Sequence, residues 1–192
     1  GKAYGLEFFV KKVYGRFNGW VGYTLSRTTR RFDEIDNGEV FPSKFDRTHD
    51  LSIAAIFDYS KKWQFGAVFI YGTGNAITLP VGRYFTIDGL YTTDIYAKRN
   101  SFRMAPYHRL DLSATYKCNT SKVVENKLTG EKLTKPRRVN SSWNFSLYNV
   151  YSRKNPYFLY NVPTGQVPNL SIQLKQVSLF PILPSVTWNF SF

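Results

Sequence analysis

The chain has 192 residues, of which 43% are hydrophobic, 18% aromatic and 20% charged, and 26 basic against 13 acidic side chains give a formal charge of +13. This length suits one sizeable domain, and no stretch of about 18 apolar residues occurs that would form a transmembrane helix. The single Cys118 excludes an internal disulfide framework, and two isolated histidines without ligand spacing predict no metal site.

Seven segments alternate apolar and polar residues with a period of two, which is typical of a β-strand whose two faces meet different surroundings. No segment repeats apolar residues at helical spacing over three turns, so the sequence predicts an all-β fold. The predicted strands lie at 4–11, 17–26, 50–59, 63–72, 109–117, 142–147 and 185–192.

The last predicted strand has the cleanest alternation. Its apolar residues are Val186, Trp188, Phe190 and Phe192, and the residues between them are polar. A large apolar residue at the end of a chain needs an apolar cover, because termini otherwise fray into water. Lipid of a bacterial outer membrane would supply that cover.

The connections between the strands are of two kinds. Those at 12–16 and 60–62 are short, whereas those at 27–45, 74–104 and 153–173 are long. Their alternation predicts antiparallel strands that run up and down between a short-turn end and a long-loop end. The stretch 119–140 breaks the rule, and we expect a flexible basic excursion there, rich in Lys122, Lys127, Lys132, Lys135, Arg137 and Arg138.

Aromatic residues recur at the short-turn end of the predicted strands. Rings at one height are expected where a β-barrel meets the membrane interface, and a soluble sandwich has no reason to align them. The pattern therefore favours the wall of a transmembrane barrel, with a girdle formed by Tyr59, Trp63, Tyr116 and Trp143. Phe17 and Phe192 are expected at the same height.

Six sequence blocks, taken in order, carry a family resemblance. They are GLEFFVKK at 5–12, GWVGYTLS at 19–26, FDRTHDL at 45–51, YHRLDLS at 107–113, NFSLYNVY at 144–151 and PSVTWNFSF at 184–192. Together they resemble the late barrel strands of TonB-dependent outer-membrane receptors of the Bacteroidetes type, and the resemblance spans essentially the whole chain.

The resemblance implies a barrel of about 22 strands, closed by a plug, that imports a large nutrient across the bacterial outer membrane with energy from TonB. Residues 1–192 would supply about seven strands at its C-terminal end. We expect a fragment that enters mid-strand at Gly1, ends at a true C-terminus and carries no plug. We expect neither enzymatic activity nor a cofactor.

The resemblance also implies partners and site residues. The partners would be outer-membrane lipid and lipopolysaccharide, the plug and remaining strands, the barrel-assembly machinery, TonB through the plug, and a possible surface lipoprotein. The terminal Val186, Trp188, Phe190 and Phe192 would form the assembly signal. Polar residues expected to face the lumen are Glu7, Asp58, Arg109, Asp111 and Asn144.

Other polar residues receive plainer interpretations. His49, between Arg47 and Asp50, and His108, beside Arg109, are expected in a lumen-facing polar network, because no nucleophile is marked. The acidic residues between 33 and 39 lack the regular spacing of a calcium loop and predict a solvated, mixed-charge loop.

Three alternatives remain at this point. The chain could belong to an outer-membrane barrel without TonB coupling, such as a porin or an adhesin. It could be a soluble lipocalin-like protein whose apolar face turns inward around a ligand. Nucleic-acid binding is disfavoured, because the aromatic residues alternate on the face opposite the charges and cannot form one platform with them.

Overall fold

The computed structural model describes residues 1–85, 92–96, 98–118, 121–125, 132–136, 139–164 and 171–192. A 3₁₀ turn lies at Asp36–Gly38. The strands, in chain order, are β1 (Lys2–Lys12), β2 (Phe17–Arg30), β3 (Phe41–Pro42), β4 (His49–Asp58), β5 (Trp63–Gly72), β6 (Ala76–Ile77), β7 (Pro80–Phe85), β8 (Thr92–Tyr96), β9 (Phe102–Arg103), β10 (Tyr107–Lys117), β11 (Ser121–Glu125), β12 (Lys132–Pro136), β13 (Asn140–Tyr148), β14 (Pro156–Thr164), β15 (Ser171–Ser178) and β16 (Leu183–Ser191).

One antiparallel sheet organises the chain. Its long strands follow the order β1-β2-β4-β5-β10-β13-β16, so each pairs with the neighbouring long strand in sequence, and β3 adds to the end of β2. The predicted all-β class and the up-and-down order of the strands are confirmed. Within the described residues, β1 and β16 each pair on one side only.

The register fixes which side chains share a face, because directly opposed residues in adjacent strands point the same way. One row crosses the sheet through Val21, Ile53, Phe69 and Leu110. A second row, from Phe17 to Phe57 to Phe65, is equally apolar. We call the side that carries these rows the apolar face, and the opposite side the polar face.

The two short turns lie where the sequence predicts them, between β1 and β2 and between β4 and β5. Between β1 and β2, Gly15 adopts φ +86°, which glycine reaches without the steric cost of a Cβ atom, and its carbonyl accepts a hydrogen bond from the Asn18 side chain. Between β4 and β5, the Ser60 hydroxyl accepts a bond from the Trp63 amide. These local bonds close the hairpins in register.

The long connections contain more strand than the sequence predicts. β6 pairs with β9, β7 with β8, and β14 with β15. In the basic stretch 119–140, expected to be a flexible excursion, β11 and β12 pair antiparallel. Of its basic residues, Lys127, Arg137 and Arg138 lie outside the described residues.

The first two long connections are tied to each other. Asp46 is 3% exposed, accepts a hydrogen bond from the Thr28 amide and forms an ion pair with Arg103. Arg103 also donates to the Asp46 and Gly74 carbonyls. A Cβ atom on Gly74 would lie 1.9 Å from the Met104 carbonyl oxygen, so only glycine fits this close approach.

The same two connections meet again further from the sheet. The Lys98 ammonium lies 2.5 Å from the Glu39 carboxylate, whose hydrogen bond and charge raise the pKa of Lys98. The Arg99 amide donates to Asp36 at 2.8 Å. The loop stays exposed, as predicted for a solvated, mixed-charge loop, and its residues Asp36 and Glu39 also contact the neighbouring connection.

Few side chains are buried, and those that are lie outside the long strands. Among the described residues, the buried apolar side chains are Phe41, Ala76 and Met104, all in the long connections. The accessible surface is 14533 Å², whereas a compact soluble protein of this mass exposes about 9,400 Å². Both faces of the sheet thus lack a covering layer within the described residues, which also contain no helix long and apolar enough to cross a membrane.

Candidate functional site

The two faces of the sheet differ sharply in charge. All four acidic residues of the long strands lie on the polar face, at Glu7, Asp50, Asp58 and Asp111. The apolar face carries no acidic residue in these strands. Its cations lie at its two borders: Lys2 and Arg27 at the long-loop end, and Lys12 at the short-turn end.

A continuous row of rings crosses the apolar face near the short-turn end. Trp63 opposes Tyr116, Tyr116 opposes Trp143, and Trp143 opposes Trp188. The ring centres of Trp63 and Tyr116 are 5.0 Å apart, and those of Trp143 and Trp188 are 5.9 Å apart. Tyr59 follows β4 and contacts Phe65 on the same face.

Two members of the expected belt lie at other heights. Phe17 opposes Phe57, one row further inward. Phe192 lies outside the row of rings that ends at Trp188. Phe190 already opposes Ser141, and the pairing of β13 with β16 ends one pair later, at Asn140 and Ser191. The sequence placed Phe192 in the belt because it is the last apolar residue, but the register puts Trp188 in that row and Phe192 four residues beyond it.

The four C-terminal apolar residues share one face of β16. Val186 opposes Phe145, and the rings of Trp188 and Phe190 are 4.7 Å apart. Phe192 stacks on Phe190 at 6.3 Å yet is 96% exposed. This strand is an open edge within the described residues, and it presents a stack of three rings.

Both histidines lie on the apolar face, so the prediction that they share a polar network with Asp50 and Asp111 is wrong, because those two residues lie on the polar face. His49 opposes Leu25, and His108 opposes Tyr71. His49 is hydrogen-bonded to the Tyr23 hydroxyl at 2.8 Å, and His108 to the Tyr151 hydroxyl at 2.8 Å. Each imidazole is therefore paired with a tyrosine hydroxyl at the long-loop border of an otherwise apolar surface.

These pairs form a second band of polar-tipped rings. Tyr23 stacks with His49, and Tyr71 with His108, at ring-centre distances of 6.2 and 6.5 Å. Burial raises the pKa of the Tyr151 hydroxyl, which shares its hydrogen bond with His108. The apolar face is therefore bordered by such rings at both ends.

Arg109 and Asp111 meet on the polar face. The Arg109 guanidinium lies 2.9 Å from the Asp111 carboxylate and donates to the hydroxyls of Tyr107 and Tyr148 at 3.0 and 2.6 Å. Asp111 also accepts the Asn149 amide at 2.8 Å. This Arg109 cluster ties β10 to the end of β13.

The other predicted polar residues lie on the same face without joining that cluster. Asp58 accepts from Gln64 at 2.9 Å, and Asn144 donates to Thr115 at 2.7 Å. These residues belong to one polar row near the short-turn end, because Asp58 opposes Gln64 and Thr115 opposes both Gln64 and Asn144. Glu7 lies apart on edge strand β1, opposite Thr24.

A cleft of about 590 Å³ opens on the polar face at the long-loop end. Lys44 and Arg47 supply its positive charge, while Tyr107, Tyr148 and Tyr157 supply rings. Such a mixture of rings and a few polar groups is typical of ligand-binding clefts. The sequence did not point to this cleft, because its walls come from separate stretches at 44–47, 75, 107, 148–158 and 179–180.

Two buried asparagines beside the cleft were also missed. Asn149 adopts φ +53° and is 1% exposed, and its side chain bonds the backbone of Arg153 and the Phe180 carbonyl. Asn155 accepts from the His108 amide at 3.0 Å and donates to the His108 carbonyl at 2.9 Å. Beyond the end of β13, the Asn155 side chain thus bonds the backbone of β10 as a neighbouring strand would.

We expect the substitution Asn155→Ala to lower the free energy of unfolding by about 1–3 kcal/mol, because both backbone groups of His108 lose their partner. Urea unfolding of the full-length protein in detergent measures the loss, and amide exchange at His108 locates it. The control Gln176→Ala removes an exposed side chain that donates to the Lys154 carbonyl, and it should change stability by less than about 0.5 kcal/mol. Equal losses in both variants would contradict the role given to Asn155.

Comparison with known proteins gives no family: no family model, no curated protein and no solved structure matches the chain. In the described part of the chain, no three His, Cys, Asp or Glu side chains lie close enough together to hold a metal ion.

Proposed function

We propose that the chain forms part of the wall of an outer-membrane β-barrel, with the apolar face toward lipid and the polar face toward the lumen. The observation that carries this proposal is the segregation of charge. Every acidic residue of the long strands lies on the polar face, and the apolar face has charge only at its borders. Lipid-facing charge is costly at the bilayer centre and tolerated near the interfaces.

The height of the apolar face supports the same placement. On β5, eight residue steps separate Trp63 in one ring band from Tyr71 in the other, which is about 27 Å along a strand. At a strand tilt of about 40°, this corresponds to about 21 Å across the bilayer, close to the apolar band of about 25 Å in such barrels.

The large exposed surface argues against the lipocalin-like alternative. In that class the apolar face surrounds a ligand and forms a core, yet the apolar side chains that the structure buries lie in the long connections. A single sheet without a core gains stability when lipid covers one face and further barrel strands continue its edges.

Within outer-membrane barrels, we propose a TonB-dependent receptor that imports a large nutrient. The support is the resemblance of the ordered sequence blocks, together with a polar face whose cleft lies at the long-loop end. In this proposal the Arg109 cluster and the Asp58 row face a plug, and the cleft meets the incoming nutrient. The terminal Val186, Trp188, Phe190 and Phe192 are then offered as an edge to the barrel-assembly machinery.

Two experiments test the proposal in order. The full-length protein should be recovered in the outer-membrane fraction and migrate differently before and after heating in detergent; recovery as a soluble protein would overturn the membrane placement. The purified protein should then bind the periplasmic domain of TonB. A membrane barrel that does not bind it would be a porin or an adhesin instead.

A further inference from the structure

Basic residues gather where β1 and β2 reach the long-loop end of the apolar face. Arg27 opposes Tyr4, and Lys2 opposes Thr29 two pairs further along, on the same face. This diagonal relation places Lys2 and Arg27 about 7–8 Å apart, with their Cβ atoms somewhat closer. Neither side chain has an acidic partner among the described residues.

A groove of about 830 Å³ adjoins this pair. Lys2, Arg30 and Arg31 line it, and Phe32 and Val40 supply apolar walls. The lining also includes Asp33, whose carboxylate lies 3.9 Å from the Arg31 guanidinium, with both side chains exposed. Because Asp33 offsets only Arg31, the border of the apolar face keeps Lys2 and Arg27 as an excess of positive charge.

The surface below the basic border is continuous and apolar. On β1, the basic border is followed by Tyr4, Leu6 and Phe8. These residues oppose Arg27, Leu25 and Tyr23 on β2. Leu6 and Phe8 are 62% and 59% exposed, so this surface has no cover within the described residues. A ligand that matches this surface carries an anionic group at the basic border and an apolar chain along the exposed apolar residues.

We propose that this border is a binding site for a phosphorylated lipid, with Lys2 and Arg27 on its phosphate and Leu6, Phe8 and Leu25 along its acyl chains. The site rests on the proposed placement of the apolar face toward lipid. Phosphate suits the pair because a guanidinium can form two parallel bonds to its oxygens while the ammonium adds a second charge. A lipid, unlike free phosphate, also uses the apolar surface.

The test uses the full-length protein in detergent and doubly phosphorylated lipid A as the probe, with retained lipid measured by native mass spectrometry. We expect the double variant Lys2→Gln/Arg27→Gln to weaken binding about thirtyfold, since each basic residue near a membrane surface contributes about a fivefold factor. Lipid A stripped of its phosphates should bind the original protein as weakly as lipid A binds that variant.

The matched control is Lys11→Gln/Lys12→Gln, which removes two charges from the other end of the same strand. It should leave binding unchanged; an equal loss there would show nonspecific charge attraction and overturn the site. Excess inorganic phosphate should not displace the lipid, and displacement would assign the pair to free phosphate. Undiminished binding of dephosphorylated lipid A by a membrane-inserted protein would reject this site alone, whereas recovery of the protein without detergent would reject the membrane placement as well.

Discussion

The substitution Phe69→Arg is expected to block assembly of the full-length protein into the outer membrane. Phe69 lies at the middle of β5 on the apolar face, between Ile53 and Leu110 in the neighbouring strands. An arginine that faces lipid at the bilayer midplane costs about 2–4 kcal/mol. Urea-washed outer membranes, probed by immunoblot, should contain little of this variant.

The matched control is Val68→Arg, the adjacent residue of the same strand. Val68 points to the polar face and opposes Asp111, so the introduced guanidinium would meet a carboxylate rather than lipid. This variant should reach the outer membrane at a level near that of the original protein. If Val68→Arg were blocked and Phe69→Arg assembled, the assignment of the two faces would be reversed.

The strands were predictable because period-two alternation is strong where the two faces differ. β5 has the predicted bounds Trp63–Gly72, since the Ser60 turn and the apolar run define both ends. β2 is longer than predicted and reaches Arg30, because the sequence at 27–30 is polar on both faces. β3 extends the pairing there, with Thr29 opposite Pro42.

The faces of the histidines could have been read from the sequence, whereas the loop contacts could not. His49 has the parity of Leu51, and His108 has that of Leu110, so both belong with the apolar residues. The charged residues beside each histidine suggest a polar network, but the parity along the strand decides the face. By contrast, Asp46 and Arg103 are far apart in a chain with no local pattern to join them, and their pairing depends on where β2, β4 and β10 place the long connections.

Replacing Arg103 with Met is expected to release the first two long connections from each other. The Asp46 carboxylate, 3% exposed, would keep only the Thr28 amide as a partner. Removal of one partner from a buried ion pair costs about 3–5 kcal/mol. The Met side chain retains the apolar stem, so the loss should come from the charge and from the two bonds to the Asp46 and Gly74 carbonyls.

Hydrogen exchange in the full-length protein measures this release. The Thr28 amide bonds Asp46, and the Met104 amide bonds Asn75. Both amides should exchange at least about a hundredfold faster in the variant, since each 1.4 kcal/mol changes an equilibrium constant about tenfold. The central strands, such as β5, should keep theirs.

The control for Arg103→Met is Lys98→Met, which breaks the other ion pair between the same two connections. Lys98 and Glu39 are both more than half exposed, and an exposed pair gains little because water screens it and two long side chains must be ordered. Exchange at Thr28 and Met104 should therefore stay near its original rate. If Lys98→Met opened the connections as far as Arg103→Met, the buried Asp46 would not be what holds them.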